Sequence, residues 1–135
     1  MTRTACDVCL VAVSESSTLA ELSARPGVEP SDGSHDAGDA HLLKSRGTWT
    51  DTVWQCAAPP PTTSLEEKFE AIARRLPAET VQQARAVIDR VYISVGVFSD
   101  AQVPTADLTP RCLAIAAAYG AAVEVKVYAP VDMDS

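Results

Sequence analysis

Hydrophobic and polar residues alternate without a break in two stretches of this chain. Residues 91–98 read VYISVGVF, with Val91, Ile93, Val95 and Val97 sharing one face. Residues 123–128 read VEVKVY, with Val123, Val125 and Val127 sharing one face. A period of two marks a strand with one buried side. Between them, residues 111–119 form a helical run, opened by Thr109-Pro110 and closed by Gly120. A cap residue followed by proline starts a helix, and glycine ends one. A strand, a helix and a strand in this order are normally parallel with a right-handed crossover. Residues 112–119 are apolar on almost every side, so this helix is expected to be well buried.

The first apolar run, residues 6–13, reads CDVCLVAV. It is apolar on both faces apart from Asp7, the pattern of a central strand covered on both sides or nearly so. Ser16 or Ser17 is placed to cap a short helix carrying Leu19 and Leu22, ended by Pro26-Gly27. Residues 26–47 are rich in glycine, proline and aspartate and read as a surface loop, with one short strand near 41–44. Residues 48–57, TWTDTVWQCA, favour a strand. Pro59-Pro60-Pro61 is a stiff connector. Ser64-Leu65-Glu66-Glu67 is a capping box, followed by a stripe of Leu65, Phe69, Ile72, Ala73 and Leu76. Pro77 interrupts that helix. A second helical stretch carries Val81, Ala84, Ile88 and Val91 and yields to strand near Asp89 or Arg90.

The predicted order is β-α-(β)-β-α-α-β-α-β. It gives an α+β fold, a single-domain two-layer sandwich over 1–135 with a mixed sheet and helices mainly on one face. The core is expected over about 5–129, with a flexible loop at about 31–47 and a short acidic tail at 130–135.

Composition narrows the partners. The 135 residues carry a formal net charge of −7, which does not fit a nucleic-acid footprint and is compatible with a basic partner protein. No apolar stretch approaches the roughly 18 residues of a membrane span. The initial apolar run contains Asp7 and leads into a poor cleavage site, Ser14-Glu15-Ser16, so the protein is expected to be cytoplasmic. Four irregularly spaced cysteines fit a reducing compartment rather than a disulfide framework.

Candidate chemistry is sparse. Cys6 and Cys9 have CxxC spacing, but on a strand residues three apart face opposite ways, so packing is the expected role. His35, Asp36, Asp39 and His41 offer imidazoles and carboxylates to a divalent metal ion, though their spacing matches no known ligand loop. A flexible acidic loop without metal is the competing reading. There is no nucleophile elbow and no glycine-rich phosphate loop. Catalytic residues and cofactors are therefore expected to be absent. Trp49, Trp54 and Tyr92 are candidate interface residues, because amphipathic aromatics anchor contacts when exposed and fill cores otherwise. Trp49 and Trp54, five apart, should point to opposite faces of a regular strand.

The layout resembles a bacterial family of small uncharacterised domains, domain of unknown function 4279. The features that carry the resemblance, in order, are the apolar first strand, a short helix running into Leu22 and then Gly27-Val28-Glu29-Pro30, the tryptophan strand, the amphipathic helix 65–76, and the final strand, helix and strand ending Val125-Lys126-Val127-Tyr128. The resemblance covers about residues 6–128. It implies a small cytoplasmic bacterial α+β protein with no established catalytic residues. The leading expectation is a non-enzymatic protein-binding module. Alternatives are an immunity-type protein that neutralises a toxin, and a small-molecule or metal-binding domain using the 32–41 loop. Monomer and homodimer both fit, since the final strand could be an exposed edge or a covered one.

Overall fold

The computed structural model describes residues 4–24, 29–31, 34–39, 47–58, 64–99 and 106–128. Four strands form one mixed sheet: β1 (Thr4–Ser14), β2 (Thr52–Ala57), β3 (Arg90–Ser99) and β4 (Ala122–Tyr128). Their order is β2-β1-β3-β4. β1 is antiparallel to both neighbours, whereas β3 and β4 are parallel. The α+β class and the mixed sheet are as the alternation predicts. The expected short strand near 41–44 and the Pro59–Pro61 connector lie outside the described residues.

One sheet face is lined by Val8, Leu10 and Ala12 of β1, Trp54 and Cys56 of β2, and Val91, Ile93, Val95 and Val97 of β3. The helices cover this face. They are α1 (Leu19–Ala24), α2 (Leu65–Arg75), α3 (Ala78–Gln83) and α4 (Pro110–Tyr119), with a 3-10 turn, Arg85–Val87, leading into β3. Phe69 and Ile72 of α2, Leu76 just after it, and Cys112 and Tyr119 of α4 are all buried there. The stripe seen in the sequence is thus the face that packs.

Local signals explain where the helices begin and end. The Ser64 hydroxyl accepts from the Glu67 amide at 3.1 Å and starts α2. Leu76, one residue before Pro77, ends it. The Thr109 hydroxyl accepts from the Cys112 amide at 3.3 Å, Pro110 opens α4, and Gly120 closes it at φ 66°. Only glycine takes that left-handed conformation without strain. The Tyr119 hydroxyl donates to the Leu76 carbonyl, tying the end of α4 to the end of α2. At the other end of α4, the Thr109 hydroxyl donates to Glu66 at 2.5 Å, and Arg111 pairs with Glu70 at 3.6 Å.

Four expectations need correction. The cap of α1 is Thr18, not Ser16 or Ser17. Its hydroxyl accepts from the Glu21 amide at 3.2 Å, and the Glu21 carboxylate accepts from the Thr18 amide at 3.3 Å, a reciprocal capping box. The tryptophan strand starts at Thr52 rather than 48. Residues before it are drawn away, because the Trp49 amide donates to Asp39 and the Trp49 carbonyl accepts from Gly38. Helix α4 is buried on one side only, since Leu113 is 50% exposed. Of the β4 valines only Val123 packs against the core: Val125 is 46% exposed and Val127 54% exposed, because β4 is the outermost strand.

Candidate functional site

The opposite face of the sheet carries no helix among the described residues. Register places Cys9, Val11 and Val13 of β1 beside Ser94, Tyr92 and Arg90 of β3 on this face, and Gln55 and Ala57 of β2 beside Val11 and Cys9. Further along, Gly96 and Phe98 of β3 lie beside Lys126 and Tyr128 of β4.

The Phe98 and Tyr128 rings stack there with centroids 4.9 Å apart and planes 13° off parallel. Both are exposed, at 43% and 45%. Gly96 makes the stack possible. A Cβ at that position would sit 3.3 Å from Phe98 Cε2 and 3.5 Å from Tyr128 Cε2, so the glycine leaves a notch over which both rings lie. Nearby, the Arg90 guanidinium sits 4.7 Å from the centroid of the Tyr92 ring. Tyr92 is half-buried on this face.

The two tryptophans do not join it. Trp54 is 3% exposed and packs in the core, with its indole nitrogen donating to the Ser23 hydroxyl at 3.0 Å. Burial withdraws it from any contact surface. Trp49 is half-buried and stacks on His35, with centroids 3.8 Å apart.

The residues proposed as metal ligands are held by the fold. Asp36 Oδ1 accepts from the Leu19 amide at 2.6 Å and so serves the first turn of α1 from a distance. Asp39 Oδ2 accepts from the Asp36 amide at 2.9 Å. His35 pairs with Val53 through two backbone hydrogen bonds, of 2.9 and 2.8 Å. Its Nε2 atom is buried without a hydrogen-bond partner among the described residues. His41 lies outside them. No group of three or more histidine, cysteine or carboxylate side chains able to hold a metal ion occurs among the described residues.

The cysteines behave as packing residues. Cys6 faces the core side of β1 and Cys9 the helix-free side, as three-residue spacing on a strand requires. Burial pushes the Cys9 thiol up from an ordinary 9.0 to about 12, and the Cys9 Sγ–H donates to Gln55 Oε1 at 3.5 Å. Burial likewise raises Cys6 and Cys56. Thiols held protonated in this way are poor nucleophiles.

Beneath α1 and α3 lies an apolar cavity of about 30 Å³, lined by Leu10, Trp54, Leu76, Val81 and Val91 among others. It has room for about two waters. Among the described residues, no helix is long and apolar enough to cross a membrane.

No family model, no curated protein and no solved structure matches this chain. The candidate site therefore rests on geometry. Phe98 and Tyr128 are its members that sequence reasoning missed. A signal was present: both alternating strands end in a valine followed by an aromatic residue, Val97-Phe98 and Val127-Tyr128. Laid parallel with their valines aligned, the strands bring the two rings side by side.

Proposed function

We propose that this chain is a non-enzymatic protein-binding module whose contact surface is the helix-free face at the β3–β4 end of the sheet. The observation that carries the reading is the exposed Phe98–Tyr128 stack. Aromatics are only 5% of the sequence, yet Tyr92, Phe98 and Tyr128 all stand on this face. Exposed, rigid aromatic rings give large contact area at low conformational cost, which is why they anchor protein interfaces.

The partner this chemistry fits is a basic protein. The net charge of −7 attracts one at long range. At contact, the ring faces offer cation–π sites for lysine or arginine. The Arg90–Tyr92 contact is an intramolecular example of the same attraction. Protonated, buried thiols and carboxylates engaged in helix capping are consistent with a binding role rather than a catalytic one. The reading does not draw on the resemblance to domain of unknown function 4279, which is a likeness in the order of elements.

The test compares capture from a lysate of the source organism by the wild type and by a Phe98→Ala/Tyr128→Ala double variant, with thermal melts confirming that both are folded. A protein enriched by the wild type and lost from the variant supports the proposal. Equal capture by both, or none by either, overturns it.

A further inference from the structure

Strand β4 ends the sheet. Its outer edge has no strand partner among the described residues, and Val125 and Val127 are about half exposed beside it. An open, apolar edge is a template for another strand. The sequence of β4 selects which strand fits.

Glu124 and Lys126 stand two apart on the helix-free face and pair with each other at 3.2 Å. Consider a second β4 laid antiparallel beside the first, related by a two-fold axis through Val125. Glu124 then lies opposite the partner's Lys126, and the partner's Glu124 lies opposite Lys126. Each carboxylate gains a second ammonium neighbour, giving a square of alternating charge. On the other face, Val125 meets its own copy and Val123 meets the partner's Val127, so the valines left bare by α4 cover one another. Other registers fail. A shift of one residue sets valines against charges and turns the two helix layers to opposite sides of the joined sheet. A shift of two sets Glu124 on the partner's Glu124, or Lys126 on the partner's Lys126, and like charges directly opposite are destabilising.

We infer that this protein self-associates as an antiparallel β4–β4 dimer centred on Val125, forming one continuous eight-stranded sheet. The interface is isologous, as most closed dimers are. It uses the edge of the sheet, where the proposed protein partner uses the face, so either can fail without the other. In the dimer both Phe98–Tyr128 stacks stand on the same side of the joined sheet. The Tyr128 positions fall six residues apart along the strands, or about 20 Å. The monomer's single aromatic patch becomes a bivalent one.

Charge exchange tests the register. Glu124→Lys places lysines at both positions and Lys126→Glu places glutamates at both, so each single variant sets like charges across the axis. Both sites are on the surface of an edge strand, and circular dichroism checks that the folds are unchanged. Sedimentation velocity of the wild type should give twice the 14.3 kDa chain mass. Each single variant should dimerise on the order of tenfold or more weakly. The Glu124→Lys/Lys126→Glu double variant should dimerise like the wild type. An equimolar mixture of the two single variants should form a heterodimer, because lysines then face glutamates at every pair. A wild type that stays at the single-chain mass at the highest clear concentration overturns the inference. So does a single variant that dimerises as tightly as the wild type, or a mixture that does not recombine.

Discussion

The two edges of this sheet are built in opposite ways. At the β2 edge the chain closes its own sheet. The Ser31 amide donates to the Gln55 carbonyl at 2.8 Å, His35 exchanges two hydrogen bonds with Val53, and the hydroxyls of Ser34 and Ser31 accept from the Gln55 and Ala57 amides at 2.9 Å each. Two serines and a histidine thus satisfy the outward backbone groups of β2 without adding a regular strand. The side chains of β2 alternate buried and half-buried. At the β4 edge nothing comparable is described, and the strand shows the surface alternating valines and paired charges. An unpaired edge costs little in water but invites association, so natural sheets normally blunt it. Here one edge is closed within the chain, and the other has no strand partner among the described residues. The sheet therefore has a closed side and, among the described residues, an open one.

That contrast makes substitutions predictable. The largest effect should come from Trp54→Ala, which removes the core anchor of the closed edge and leaves the Ser23 hydroxyl without its indole donor. The expected loss is roughly 3–5 kcal/mol, measured by urea unfolding. A loss no greater than that of a valine substitution in β4 would erase the distinction between the edges. Asp36→Ala is next. It strips a carboxylate from the Leu19 amide at the start of α1, with a cost of about 1 kcal/mol by the same measurement. Asp36→Asn should recover part of that, because the amide oxygen still accepts.

Val127→Thr on the open edge should cost less than about 0.5 kcal/mol, since the side chain is already more than half exposed. The contrast with Trp54→Ala lies in the readout: Val127→Thr should leave the melting temperature nearly unchanged while weakening self-association. A melting temperature lowered as far as in Asp36→Ala would mean that β4 is a stabilising strand after all.

The last effect is absent at neutral pH and appears only as the solution becomes alkaline. The Cys9 thiol, against Gln55 of the closed side, is held up to about 12 by burial, against 9.0 for an ordinary thiol. Below about 9 it is protonated both folded and unfolded, and its contribution to stability is fully present. Between about 9 and 12 the unfolded chain has lost a proton that the folded chain keeps. Unfolding then releases a proton, and stability falls as the pH rises through this window. Urea midpoints measured from pH 8 to 11 should decline, and Cys9→Ser should flatten the decline. Identical slopes for the two proteins would show that the thiol plays no part.

Much of the fold was legible because its signals are local. The Ser64 box, the Thr109-Pro110 start with its Gly120 stop, and the valine alternation of β3 all act within a few residues. What failed depended on neighbours distant in sequence. Thr48–Asp51 read as strand by composition, but Trp49 is bound to the 38–39 turn and the ladder begins only at Thr52. The alternation of β4 correctly announced a strand, yet alternation alone cannot tell a central strand from an outermost one. Strand order decides that, and α4 covers only the inner part of the face. Trp54 and Tyr92 looked alike as candidates; one points beneath the helices and the other away from them. The aromatic stack needed the parallel register of two strands that are thirty residues apart in the chain.

The segment that closes the β2 edge has a consequence for how far assembly can go. A sheet open at both edges can add copies without limit, each new molecule presenting a fresh edge, and ends as a fibre. A sheet open at one edge stops after a single addition, because each half of the pair turns its closed edge outward. In the proposed dimer Ser31, Ser34 and His35 would thus act as a chain terminator, limiting the assembly to two.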